Sequence, residues 1–167
     1  GVLFMRGDNA SAADAAFPRR PDIKGAFAST ALWLVAWLAP LGLSIALLGP
    51  QHVLSKVGQV FSLLAVVTFG GAYATLAYLQ QEAVQAQGWL SAGQMFDGLG
   101  LAETTPGPLV LVNQFVGFMA GWNAEGGGVW LAAAAALMAS WCTFAPSFAW
   151  IFAGAPFAET LRTNARA

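Results

Sequence analysis

The residues best placed to do chemistry lie in one run. It reads Asp97-Gly98-Leu99-Gly100-Leu101-Ala102-Glu103-Thr104-Thr105-Pro106-Gly107-Pro108-Leu109 and continues, mostly apolar, to Gly117 and Gly121. The segment is long enough to cross a bilayer, yet Pro-Gly-Pro stands in its middle. Pro106 and Pro108 have no N–H, and in a continued helix their rings would collide with the carbonyls of Ala102 and Thr104. The pattern predicts two half-helices that meet near mid-membrane. In hydrocarbon such a break is tolerated only where protein or a water-filled cavity covers it. Transporters use that device to bind ions and substrates.

Pro108 suits the first position of a helix. The helix it opens leaves the N–H groups of Leu109, Val110 and Leu111 facing the turn, where they and the helix dipole favour an anion. Gly107 lets a ligand approach the backbone, and Thr104 and Thr105 place hydroxyls beside it. No Lys or Arg lies inside an expected span, so helix-end amides are the evident anion attractor at depth. Glu103 is the carboxyl nearest the break. In a low-dielectric site a carboxyl has a raised pKa and can carry a proton. Glu103 is therefore the first candidate for proton coupling, against the alternative of an acid bonded to a neighbouring helix or to water. Asp97, nearer the interface, and Glu82, at the end of the preceding span, are the other candidates. Asn113 and Gln114 stand one turn into the second half-helix, where amides either join helices or bind substrate.

Composition sets the medium in which these residues work. Hydrophobic residues make up 57% and charged residues 9% of the 167, and mean hydropathy is +0.62. Soluble domains carry about a quarter charged residues, so the chain is expected to be an all-α, polytopic transmembrane bundle with one helix broken at Pro-Gly-Pro. There is no basic cluster suited to nucleic acid. The single Cys142 allows no intrachain disulfide, no metal-ligand spacing is present, and no cofactor is implied. His52 follows Gly49-Pro50 and reads as a solvated loop residue.

Residues 1–25 carry Arg6, Asp8, Asp14, Arg19, Arg20, Asp22 and Lys24 with Pro18 and Pro21. They lack the basic, apolar and small-residue order of a signal peptide and read as a polar cytoplasmic linker. The first residue is Gly, and the reading expects protein before it. The transmembrane domain is expected over 26–167, incomplete at its C-terminus, with spans at about 26–49, 57–79, 92–121 (broken) and 129–152. Span one holds Trp33, Trp37 and Pro40 and ends at Gly49-Pro50. After a loop over 51–56, span two carries Thr68, Gly71, Thr75, Tyr78 and Glu82 at intervals of three and four, one helical face. That stripe is either a packing seam or the lining of a site.

Residues 80–91 read as an interfacial turn, with Trp89 at headgroup depth. Ser91 and Gln94 have capping-box spacing, and Leu90 and Met95 that of the accompanying staple, so a helix should run from Ser91 to about Thr104. At about 20 Å each, neither half of the broken segment crosses a ~30 Å core alone. Four crossings put Arg6, Arg19, Arg20, Lys24, Arg162 and Arg166 on one side, six of the seven basic residues. The positive-inside rule thus favours a true broken span over a re-entrant hairpin. The last span holds Ala132–Ala136, Trp141 and Pro146, and Gly117-x-x-x-Gly121 is a small-residue packing motif.

Several motifs in order resemble the chromate ion transporters. They are Phe69-Gly70-Gly71-Ala72-Tyr73, Gly88-Trp89-Leu90, the run from Asp97 to Pro108, and Gln114-Phe115-Val116-Gly117-Phe118. Each is weak alone; the ordered set is specific and covers about residues 57–122. Long members of that family join two homologous halves, and the form with Glu103 looks like the second half, with residues 1–25 as the linker. The resemblance implies export of chromate across the bacterial inner membrane, driven by the proton motive force and conferring resistance, with sulfate as a look-alike substrate. It implies that Gly70, Gly71 and Tyr73 belong to the substrate path with Thr104, Thr105, Pro106, Gly107 and Pro108. The partners it implies are the anion, the bilayer, and either the missing first half or a second copy.

Two other classes compete. One is a non-transporting membrane subunit whose broken helix is a docking feature. The other, an intramembrane enzyme, lacks its constellation, since His52 is in a loop and no Ser–His or metal-ligand pair lies at membrane depth.

Overall fold

The computed structural model describes residues 23–67, 72–105 and 111–164, with side chains over 25–67, 75–105 and 111–154. All secondary structure among them is helical. The order is α1 (Ile23–Leu48), α2 (Val53–Val67), α3 (Ala72–Gln80), a π-helical segment (Gln81–Ala86), α4 (Ala92–Thr104), α5 (Leu111–Asn123) and α6 (Val129–Asn164). Outside the described residues lie the linker up to residue 22, Thr68, Phe69, Gly70 and Gly71 of the expected stripe, and Pro106, Gly107 and Pro108 with Leu109 and Val110. The side chain of Tyr73 lies outside them too.

Among the described residues two helices are long and apolar enough to cross a membrane, Gly25–Leu48 and Val129–Gly154. Only 11% of the first is buried inside the protein. Phe27, Leu32, Val35, Leu43 and Leu47 are all exposed, an apolar surface that suits lipid and not water. Trp130, at the start of α6, is 86% exposed, as befits an interfacial anchor.

α6 is the hub on which α1, α2 and α5 all pack. Its contact with α5 is backbone against backbone. A Cβ at Gly117 would lie 2.6 Å from the Ala139 Cβ and 2.8 Å from the Ala135 carbonyl oxygen. One at Gly121 would lie 2.5 Å from the Leu131 carbonyl oxygen and 2.7 Å from the Ala132 Cα. The glycine pair and the alanine run are thus two halves of one seam, with Ala132, Ala135, Ala136 and Ala139 buried in it.

α1 meets α6 through a different device. Pro40 lies inside α1 and cannot donate to the carbonyl four residues back, that of Ala36. The indole Nε1–H of Trp141 on α6 donates to that carbonyl at 3.0 Å. Trp33 stacks on Phe148 with centroids 4.6 Å apart. Between α1 and α2, buried Ser55 donates to Ser44 Oγ at 3.3 Å, and Leu41 covers Gly58.

Helix ends follow the sequence in most places. Gly49, at φ +86, closes α1, its N–H reaching the Ile45 carbonyl at 3.0 Å. Ser91 and Gln94 form the reciprocal capping box and α4 ends at Thr104; Leu90 and Met95 are both buried in the core. Three expectations change. α2 begins at Val53, within the expected loop 51–56, because His52 caps it. The His52 Nδ1 accepts from the Leu54 N–H at 3.3 Å, and its carbonyl accepts from the Lys56 N–H at 3.0 Å. His52 is therefore a half-buried cap and not a solvated loop residue. Residues 81–86, expected in a turn, continue α3 as a π-helix, with Gln87 N–H bonding the Glu82 carbonyl at 2.9 Å. The turn proper is short: Gly88, at φ +62, lets the Trp89 N–H return to the Ala83 carbonyl at 2.8 Å. Finally, α6 runs past Phe152 to Asn164.

Candidate functional site

A cavity of about 230 Å³ opens where four helices converge. Leu64 and Ala65 line it from the last turn of α2, Thr75 from the first turn of α3 and Asn113 from the first turn of α5. Thr143, Phe144 and Ser147 close it from the middle of α6. Its walls thus come from the helix ends bordering 68–71 and 106–110, the two stretches where the sequence sets Gly-Gly and Pro-Gly-Pro. A water's share of liquid volume is about 30 Å³, so the space admits a small ion with part of its hydration shell.

Among the described residues no charged side chain lines it. Its polarity is set by a chain of hydrogen bonds with a fixed sense. The Thr143 hydroxyl donates to the Ala139 carbonyl at 2.7 Å. Its single hydrogen is then spent, so it can only accept from Asn113, whose Nδ2 lies 3.3 Å away. This orients the amide and leaves Asn113 Oδ1 without a partner, on a side chain only 2% exposed. A buried unpaired acceptor costs about 1–3 kcal/mol, a cost carried here where Asn113 joins α5 to α6. Pro146, between Phe144 and Ser147, also deprives the Cys142 carbonyl of its helical donor.

The sequence candidates are dispersed around this cavity. Thr75 lines it; Tyr78, a neighbour on the expected stripe, is 38% exposed. Of the two amides, Asn113 is buried and joins α5 to α6, whereas Gln114 is exposed. Asp97, Glu103, Thr104 and Thr105 are all exposed on α4 and its C-cap. The Thr104 hydroxyl donates back to the Gly100 carbonyl at 2.9 Å, and that of Thr105 to the Leu101 carbonyl at 2.7 Å. These hydroxyls hold the end of α4 and would have to turn to meet a ligand. Glu82 is half-buried on the π-helical segment, its Oε1 accepting from Gln87 Nε2 at 2.8 Å. α4 is held to α5 by the Phe115 ring, which fills the space a side chain at Gly98 would need. Among the described residues no group of three His, Cys, Asp or Glu side chains gathers as a metal would require.

Thr143 and Ser147 were not singled out in the sequence. They lie four apart astride Pro146 in an apolar helix, a one-face hydroxyl pair at a helix distortion. That spacing was the available signal.

Known proteins place the chain. A chromate transport protein of Pseudomonas aeruginosa is 43% identical over 56 residues, 34% of this chain and 13% of the relative. A probable chromate transport protein of Synechococcus elongatus is 33% identical over 73 residues, 42% of this chain and 19% of the relative. An uncharacterized transporter of Methanocaldococcus jannaschii is 27% identical over 99 residues, 59% of this chain and 22% of the relative. The chain therefore spans less than a quarter of the length of each. No solved structure matches. The chromate transporter family model matches residues 55–167, from the first turn of α2 onward and hence every described residue that lines the cavity. With that match over more than half its length, the chain belongs to the chromate transporter family.

Proposed function

We propose that the protein exports chromate across the bacterial inner membrane in exchange for protons, with sulfate as a competing tetrahedral dianion. The observation that carries this reading is the coincidence of family and geometry: the matched region holds a polar cavity among apolar helices, lined in part by helix ends next in sequence to both glycine-bearing stretches. Polar cavities at interrupted helices are where secondary transporters bind. In this reading the anion meets Thr104, Thr105 and the backbone of Pro106, Gly107 and Pro108, with Gly70, Gly71 and Tyr73 from the other stretch. Glu103 is the coupling carboxyl, and Asp97 and Glu82 are the alternatives. The linker over 1–25 is cytoplasmic, and the chain works with a homologous half or a second copy.

The test is chromate accumulation in respiring everted vesicles from cells making the full-length protein. Wild type should accumulate chromate, sulfate should compete, and Glu103→Gln should lose at least tenfold of the proton-dependent flux while retaining exchange at equal pH. Correctly inserted wild type that accumulates nothing removes the transport reading and favours a docking subunit. Normal flux in Glu103→Gln removes only the choice of coupling residue.

A further inference from the structure

We propose that α2 with α3, and α4 with α5, are two re-entrant hairpins that enter the membrane from one face, the extracytoplasmic one. Among the described residues only α1 and α6 then cross it. Contacts along α6 give each helix a direction. Gly121 of α5 meets Leu131 and Ala132, Gly117 meets Ala135 and Ala139, and Asn113 meets Thr143, so α5 runs antiparallel to α6. On α2, Gly58 faces Met138, while Leu64 and Ala65 share the cavity with Thr143 and Ser147. α2 therefore runs parallel to α6, away from its Val129 end. α3 starts at that same depth, with Thr75 on the cavity wall. The chain that continues it reaches Trp89, whose carbonyl accepts from Asn123 Nδ2 at 2.8 Å, at the last residue of α5. α3 and the π-helical segment thus return along the path α2 took, and Leu79 and Ala83 are buried in one core with Val57 and Phe61. α4 begins two residues after Trp89, at its cap Ser91, and packs Gly98 on Phe115, so it descends as α5 rises.

All four helices therefore have one end beside the start of α6 and the other beside its middle. Thr143 lies about 20 Å along α6 from the exposed Trp130, at about 1.5 Å per residue. α2 has 15 residues, α3 and the π-helical segment 9 and 6, and α4 and α5 13 each. None of these arms exceeds about 23 Å, short of a ~30 Å core. Helices that stop at such depth are tolerated where they border protein or a cavity, and the ends of α2, α3 and α5 border this one. Four crossings would put residues 80–91 and the turn after α5 on opposite sides of that core, which the bond between Asn123 and Trp89 does not permit. Two crossings still leave Arg6, Arg19, Arg20, Lys24, Arg162 and Arg166 on one side and Lys56 on the other. The basic residues thus fit both topologies equally, and they make the hairpins' face extracytoplasmic. The inference does not rest on what is transported, and its test contains no chromate.

The experiment is labelling of single cysteines by a membrane-impermeant maleimide, in intact cells and in everted vesicles. It uses the full-length protein with its native cysteines replaced, Cys142 by Ala. Gln51→Cys, Gln85→Cys and Glu125→Cys sit at exposed positions in the three connections at the hairpins' outer ends. All three should react in intact cells and lose that reaction in everted vesicles, with Ser11→Cys in the linker showing the reverse. Gln81→Cys, also exposed, carries the comparison if Gln85→Cys is not inserted or does not react. Reaction at 85 or 81 only in everted vesicles, with 51 and 125 reacting only in intact cells, is the four-crossing pattern and overturns the proposal. Reaction of all three on the same side as Ser11→Cys also overturns it, because α1 would then not cross.

Discussion

At the scale of single residues, the backbone group that Pro40 orphans is the informative one. Removing the Trp141 indole leaves the Ala36 carbonyl unmet on both sides, so Trp141→Phe should cost about 1–3 kcal/mol. Pro40→Ala restores a main-chain N–H to that carbonyl. In the Pro40→Ala background the same Trp141→Phe change should therefore cost less than half as much, read as a double-mutant cycle on thermal unfolding. Equal costs in the two backgrounds would show that the indole contributes packing alone. Glycines offer a second contrast. Gly121→Ala forces a Cβ onto the Leu131 carbonyl and Ala132, both backbone, and should lose about 1–3 kcal/mol. Gly42 in α1 has nothing within 4 Å of its would-be Cβ, so Gly42→Ala should gain about 0.5–1 kcal/mol. The Gly117–Gly121 pair was legible as a packing motif, but its partner was not. That Ala132–Ala136 receives it depends on how two helices cross, and residue spacing within one helix carries no such information. Trp141 was visible for the same reason, as a residue without its acceptor, because a backbone carbonyl has no signature in sequence.

At the scale of elements, local chemistry was the readable part. Ser91 and Gln94 fixed the start of α4, Pro106 disfavoured helix beyond its last residue, Thr104, and Gly49 closed α1. Ser91→Ala should destabilise by about 1 kcal/mol and raise amide exchange in the first turn of α4 before anywhere else. Uniform exchange would mean that α4 has no independent opening. The errors fell where capping came from a residue type not expected to cap, or where a helix changed its pitch. His52 is an uncommon cap, which hid the start of α2 at Val53. Residues 81–86, rich in Gln, offered no apolar period, and only Glu82, Gln87 and Ala83 bonding across longer intervals keep them helical. At the site, Asn113 and Thr75 were named for their polarity within apolar helices. Thr143 and Ser147 were hidden by the alanines and aromatics around them, although they complete the cavity.

At the scale of the whole molecule, the described helices make a bundle in which α6 carries three neighbours and α1 leaves most of its apolar surface outward. That arrangement needs lipid, which composition had already implied. The cavity sits against the middle of α6, bordered by the helix ends on either side of 68–71 and by the start of α5 that follows 106–110. The proposed chromate path runs by way of this space, and Ala65 is the small wall residue on which it can be closed. The most direct measurement is chromate uptake into respiring everted vesicles by the full-length protein, comparing wild type, Ala65→Trp and Gly42→Ala at equal membrane levels. Ala65→Trp should cut the flux more than tenfold by filling the cavity, while Gly42→Ala should transport as wild type does. Flux through Ala65→Trp equal to that of wild type would contradict the account, because the anion would then be crossing elsewhere.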